Sequence, residues 1–327
     1  MAFFYRYGLI AAAVVSCLFV HAAQAVQPRP GVVVVLEIGA PDDAVRAFLR
    51  DNDYDAEPME SGGLRVYATP SEVQRLDVLG VSYAVIEYQP KPPREESAAK
   101  GLGTYHTYTS LGTELAAYAT QYPGICRLYS LGTSVQGRTI RAVCISKNPD
   151  TEEDEPEFKY VANMHGDETV GLELCVYLID LLLAQYGQST TEGQRITDLV
   201  DSTEIWIVPT MNPDGLVLGQ RYNANGYDLN RYFPNWKPTP YGNIFDGDPL
   251  NDTSRQAEIR TIMQWSADHS FTLSANLHGG ALVVNYPYDL NCGTVNSYCA
   301  APDDALLISL SEVYARHNSP MWNSIYF

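Results

Sequence analysis

Basic residues are scarce in this chain. Lysine and arginine number 21 against 39 aspartates and glutamates among 327 residues, a formal net charge of −18. So anionic a surface repels polyphosphate, which sets nucleic acid aside as a partner, and it attracts cationic ligands. No uninterrupted apolar run reaches the ~20 residues that a membrane-spanning helix needs. Even Leu172–Leu183 is interrupted by Glu173 and Asp180. Cys-x-x-Cys is absent, which argues against a thiolate zinc site or a dithiol redox motif. Internal repeats and long low-complexity tracts are missing as well. Hydrophobic residues, by contrast, make up 46% and charged residues only 18%, which excludes a chain disordered throughout. The length predicts one large domain with a smaller one beside it.

The first residues predict export. Arg6 lies in a short leading region, an apolar stretch runs from Leu9 to Val20, and Ala23-Gln24-Ala25 has the small-x-small form of a signal-peptidase site. Cleavage is expected after Ala25, giving a secreted or periplasmic protein. Lipid attachment at Cys17 is the alternative, but Val14-Val15-Ser16 is a poor context for it. Five cysteines follow. Cys292 and Cys299 flank a short loop and predict a local disulfide, and Cys126 and Cys144 are placed to face each other across a hairpin. Cys175, inside an apolar helical stretch, reads as a buried thiol.

Residues 26–88 read as a small α+β module of order βαββαβ: strands Val32–Ile38, Asp53–Glu57, Leu64–Tyr67 and Ser82–Glu87, helices Pro41–Leu49 and Pro70–Leu79. That order predicts a ferredoxin-like fold. Residues 89–104 form a linker stiffened by Pro90, Pro92 and Pro93, with Lys91, Arg94 and Lys100 as protease sites. An activation segment and an ordinary interdomain link both fit. From 105 to 327 strands and helices alternate, which predicts an α/β domain with a doubly wound mixed sheet. Helices are expected at Leu111–Gln121, Gly171–Tyr186, Arg255–His269 (capped by Thr253 or Ser254) and Asp303–His317. Strands are expected at Arg127–Leu131, Thr139–Ser146, Glu157–Asn163, Glu204–Pro209, Phe271–Leu277 and Ala281–Asn285.

Three segments carry chemistry. His165-Gly166-Asp167-Glu168 lies where a strand passes into a helix, the end of an α/β sheet at which ligands bind. His165 and Glu168, three apart across a tight turn, can converge on one ion at ~2.0–2.2 Å. His278 ends another apolar strand and precedes Gly279-Gly280. Two histidines, one glutamate and a water describe an open catalytic zinc site. His21, His106, His269 and His317 have no such placement. Asn212-Pro213-Asp214-Gly215 is ordinary turn chemistry. Arg221 and Asp228-Leu229-Asn230-Arg231 concentrate two arginines and an asparagine in a loop, where a guanidinium fork can take a carboxylate bidentately. Asp228 can orient a metal-binding imidazole by its other nitrogen. The acidic stretch Asp246–Asp252 lacks calcium-loop spacing and reads as solvated loop.

With these motifs in this order the chain resembles the zinc metallocarboxypeptidase family (carboxypeptidase A/B-like), and most closely its regulatory N/E/D-like branch, over Tyr105–Phe327. The resemblance implies a hydrolase that binds one Zn²⁺ and removes C-terminal residues from peptides and proteins. It implies zinc binding by His165, Glu168 and His278, with His165 held by Asp228. Arg221 would polarise the scissile carbonyl, and Asn230 and Arg231 would clamp the terminal carboxylate. Asp289 stands where members selective for lysine or arginine carry their pocket aspartate; a buried carboxylate there disfavours apolar side chains.

Two departures stand out. The family's general-base glutamate and substrate-capping tyrosine lie downstream of the third ligand, yet only 49 residues, 279 to 327, follow His278. Glu312 and Tyr326 are not in matching contexts. The sequence is therefore expected to be C-terminally truncated and inactive as it stands, since losing a general base costs roughly 10²–10⁴-fold. The second departure is the leading module, which the N/E/D-like branch lacks and the A/B-like branch carries as an inhibitory segment. A zinc deacylase of N-acyl amino acids and a non-catalytic peptide binder remain the rival readings.

Overall fold

A computed structural model describes residues 34–52, 54–59, 61–68, 70–86, 105–234, 250–280, 282–288 and 300–323. The leader, the linker, Asp289, the Cys292–Cys299 loop and most of the acidic stretch fall outside them. The small module runs β1 (Val34–Ile38), α1 (Asp43–Asp51), β2 (Asp55–Pro58), β3 (Leu64–Ala68), α2 (Pro70–Val78) and β4 (Ala84–Ile86). Its sheet has order β2-β3-β1-β4 with every pairing antiparallel. Alternate residues of β3 (Leu64, Val66, Ala68) turn inward onto Leu36, Ile38, Leu49 and Leu76, a core of its own.

The larger part begins with α3 (Tyr108–Gln121), opened by Thr107 and Ser110 in a reciprocal cap. The hairpin β5 (Cys126–Thr133) and β6 (Thr139–Ile145) follows, then β7 (Glu157–Ala162), α4 (Thr169–Gln185), α5 (Thr191–Val200), β8 (Glu204–Val208) and α6 (Pro213–Leu218). A 3₁₀ turn at Leu229–Arg231, α7 (Ala257–Ala267), β9 (Phe271–Leu277), α8 (Asp304–Arg316) and α9 (Ser319–Trp322) complete the order. The sheet runs β5-β6-β8-β7-β9; β7 is parallel to both neighbours, and β6 is antiparallel to β5 and β8. β8, with Ile205, Trp206, Ile207 and Val208 all buried, is the strand covered on both faces. On one face Leu172, Cys175, Ile179 and Leu183 of α4 pack with Leu111 and Leu115 of α3; on the other Ile259, Ile262 and Trp265 of α7 meet Trp206 and Val208. This is the mixed α/β sheet with helices on both faces that the alternation predicts.

Three sequence expectations change, and one helix is added. Cys126 is in register with Ile145 and Cys144 with Arg127, so the two thiols sit one position apart on neighbouring strands and point to opposite faces. Cys126 belongs to one core cluster and Cys144 to the other, and both are free thiols, as is buried Cys175. Residues 282–286 form no strand. The N-cap of α7 is Gln256, without a side-chain cap bond, while Ser254 bonds back to Asp252. Helix α5 was not foreseen; Thr190 accepts from Gly193 N at its start, and Ile196 and Val200 anchor it.

Candidate metal centre

Strand β7 lies between β8 and β9, so its carboxyl end opens onto both neighbours, the place where an α/β sheet forms a crevice. Asn163 leaves β7 in a left-handed conformation (φ 55°), which asparagine tolerates better than most residues. Its side chain is fully buried; Nδ2 donates to the carbonyls of His165 and Gly166 at 2.9 and 3.1 Å, and Oδ1 accepts from Thr210 Oγ1 at 2.8 Å. The turn is thereby held from inside. His165 Nδ1 comes within 2.9 Å of Glu168 Oε1, and His278 Nδ1, from the end of β9, within 3.0 Å of Oε2. Ligand atoms of these three residues all lie within 4.8 Å of one another. Two imidazole nitrogens and a carboxylate so gathered suit a zinc ion in donor type, number and spread. His165 is buried, Glu168 half-buried and His278 exposed, so the cluster opens on one side.

Asp228 ties the second motif to the first. Its Oδ1 lies 3.0 Å from His165 Nε2, its Oδ2 accepts from Arg221 Nε at 2.9 Å, and Oδ1 also accepts from Asn230 N at 2.9 Å. With Nε2 engaged, His165 presents Nδ1 to the cluster. Burial opposes charging of His165, yet the Asp228 carboxylate lifts its pKa to about 9. Asp228, although buried, is held well below the usual carboxylate range by Arg221 and His165. Burial likewise pushes Glu168 up, and hydrogen bonds from the two histidines outweigh it and bring it down. Arg221 Nη1 stands 3.6 Å from Glu168 Oε1, and the ring of Tyr67 from the small module lies 4.4 Å over its guanidinium carbon. Asn230 is exposed and Arg231 half-buried, two and three residues along the chain from Asp228. Every predicted site residue but Asp289, which lies outside the described residues, thus belongs to one neighbourhood.

Sequence reasoning passed over the supports. Asn212, taken for turn chemistry, is fully buried; Nδ2 donates to Met164 O at 3.1 Å and Arg221 O at 3.3 Å while Oδ1 caps α6 at Gly215 N. Gly166 N donates to Arg221 O at 3.2 Å, so the two motifs are also joined by backbone. A Cβ on Gly166 would meet the Gly215 carbonyl carbon at 2.1 Å. Asp214 accepts from Ser134 Oγ, Gln136 N and Arg138 Nη1, pinning the β5–β6 turn.

The model of the zinc carboxypeptidase family matches residues 112–326. Carboxypeptidase D of Rattus norvegicus is 42% identical over 228 residues, covering 67% of this chain and 16% of the relative. Carboxypeptidase M of Mus musculus is 41% identical over 230 residues (66% and 48%), and the carboxypeptidase N catalytic chain of Homo sapiens 37% over 249 residues (67% and 54%). The chain thus spans about half of the length of the latter two and less of the first. Among solved structures, carboxypeptidase A from Helicoverpa armigera superposes with a TM-score of 0.59 at 19% identity, covering 88% of this chain and 78% of that one. Thrombin-activatable fibrinolysis inhibitor gives 0.56 at 14% identity, covering 88% and 80%, and these two show the fold. By the reach of that family model and the identity to those relatives, the chain belongs to the zinc carboxypeptidase family.

Proposed function

We propose that this protein is an exported zinc-dependent metallocarboxypeptidase that removes C-terminal lysine or arginine from peptides and proteins. The observation that carries the reading is the meeting of His165, Glu168 and His278 beside the Arg221–Asp228 pair. His165 Nδ1, a Glu168 oxygen and His278 Nδ1 would hold the zinc. When bound, zinc supplies Lewis acidity to a water and to the scissile carbonyl. Arg221, fixed by Asp228, stabilises negative charge developing on that carbonyl oxygen. Asn230, exposed, and Arg231, half-buried, bind the substrate's terminal carboxylate, for which a guanidinium fork is suited. Asp289 selects the basic side chain. A carboxylate general base must still take the proton of water and pass it to the leaving amine. No helix among the described residues is long and apolar enough to cross a membrane, and the leader reading supports export.

The small module is proposed to cover the site, because Tyr67 lies over the guanidinium that the reaction uses. The peptidase reading is tested on full-length protein by release of C-terminal arginine from a blocked dipeptide, with zinc content measured in parallel. His165→Ala should abolish both, and retained activity in that variant sinks the reading. Asp289→Leu should shift preference away from basic termini; unchanged selectivity moves the pocket elsewhere.

A further inference from the structure

Arg221 and Asp228 must meet each other from the two ends of one loop, and between them lies a fully buried asparagine that no motif reading used. Asn223 N donates to Tyr227 O at 3.0 Å, and its carbonyl accepts from Gly226 N at 3.0 Å. Asn223 Oδ1 accepts from the backbone N–H groups of Asn225 and Tyr227 at 3.1 and 3.0 Å. Nδ2 donates outward, to Gln256 Oε1 at 3.0 Å and Glu258 Oε2 at 3.1 Å. Both amide hydrogens and both oxygen lone pairs are therefore committed.

The two outward bonds reach the start of α7. There Gln256 also accepts from Asn225 Nδ2 at 2.9 Å, and Glu258, itself fully buried, accepts from Val135 N at 3.1 Å. The residue directly before Asp228 is thus bonded through N–H and C=O to Asn223, and Asn223 is bonded to an element packed into the core. We infer that Asn223 is a positioning residue: it sets where Asp228 stands, and through Asp228 the orientation of the His165 ring and the Arg221 guanidinium. Only an amide serves here, because the position needs an acceptor toward the turn and a donor toward two acceptors on α7. The metal readout below rests on the zinc-site reading; the exchange readout does not.

The test uses the full chain. Asn223→Asp keeps the shape, removes both outward donors and sets a carboxylate against Glu258, whose pKa burial already raises. In the metal-free protein, amide exchange across residues 221–231 should accelerate at least ~10-fold while β6 and α4 stay protected. Zinc affinity, read by competition with a chromophoric chelator, should fall about 10–100-fold, the usual effect of disturbing a group behind a ligand. Adding Glu258→Gln restores one of the two outward bonds with its polarity reversed, since the new amide donates to Asp and its oxygen still receives Val135 N. This double variant should recover part of both readings, at least ~3-fold over the single variant, even if the single variant is poorly folded. Unchanged exchange over 221–231 in Asn223→Asp overturns the inference. So does a double variant that regains thermal stability without regaining zinc affinity, because Asn223 would then be a packing residue only. An unsubstituted chain that binds no zinc removes the metal-centre reading alone, and the exchange data then decide on Asn223.

Discussion

Gly166→Ala is the most sensitive probe of how the two motifs fit together. The methyl carbon would lie 2.1 Å from Gly215 C, 2.4 Å from Gly215 Cα and 2.5 Å from Leu216 N, all backbone atoms at the start of α6. Ordinary contact begins at 3.4 Å, so one wall must retreat by about 1.3 Å. Neither wall is loose. Gly166 N is bonded to Arg221 O, Asn163 holds the carbonyls on either side, and Asn212 fastens Gly215 N to Met164 O. Overpacking of this kind costs about 1–3 kcal/mol, and more where backbone must move. A displacement of about 1 Å at a reacting centre costs on the order of 10²-fold in rate. Urea unfolding should register the loss of stability. Zinc competition should show weaker binding, because His165 and Glu168 flank the displaced residue. If the variant keeps both midpoint and zinc affinity, the close approach of the His165 turn to α6 is not what holds the site.

Asp228→Asn should cost about 3–5 kcal/mol in stability, as removal of one partner from a buried ion pair does, and about 10–100-fold in zinc affinity; chelator competition with unchanged affinity would refute the role of Asp228 behind His165. His106 sits between Glu173 (2.8 Å) and Glu114 (2.8 Å), and the Glu173 hydrogen bond raises its pKa over the opposing effect of burial. A raised folded pKa stabilises fully below the unfolded value of about 6.5 and ceases to do so as pH rises through the folded one. His106→Gln should therefore lower Tm more at pH 6 than at pH 9, and a gap that does not vary with pH refutes the charged clamp. In full-length protein with the linker uncut, Tyr67→Ala should raise hydrolysis about 2- to 30-fold, the worth of a cation–π contact of about 0.5–2 kcal/mol; an unchanged rate refutes the covering role.

What the sequence disclosed about the site follows from residue chemistry. His165, Glu168, His278, Arg221 and Asp228 are titratable or charged, stand at strand ends or in one loop, and can be picked out without coordinates. Asn163, Asn212 and Asn223 cannot, because an asparagine at a strand end or in a loop looks like a turn former whether or not its amide spans two distant segments. The strands of the larger sheet were legible from apolar runs flanked by turns. Ala281–Asn285 shows the limit: an apolar run alone does not supply a pairing partner. The hairpin cysteines show another, since their register depends on a bulge between Ser130 and Gly132 that no local pattern announces. Helix α5 could have been found from the Thr190 cap and the four-residue spacing of Ile196 and Val200.

The three interior thiols have a practical use. Burial pushes Cys126 up to about 11 and Cys175 to about 12, and raises Cys144 further by the same cause. An alkylating reagent reaches a thiolate only when the surrounding layer opens. Cys126 and Cys175 report on the layer beneath α3 and α4, and Cys144 on the one beneath α7. Timed labelling followed by peptide mass mapping would therefore tell whether the two sides of the sheet come apart together or in sequence, with no foreign probe introduced.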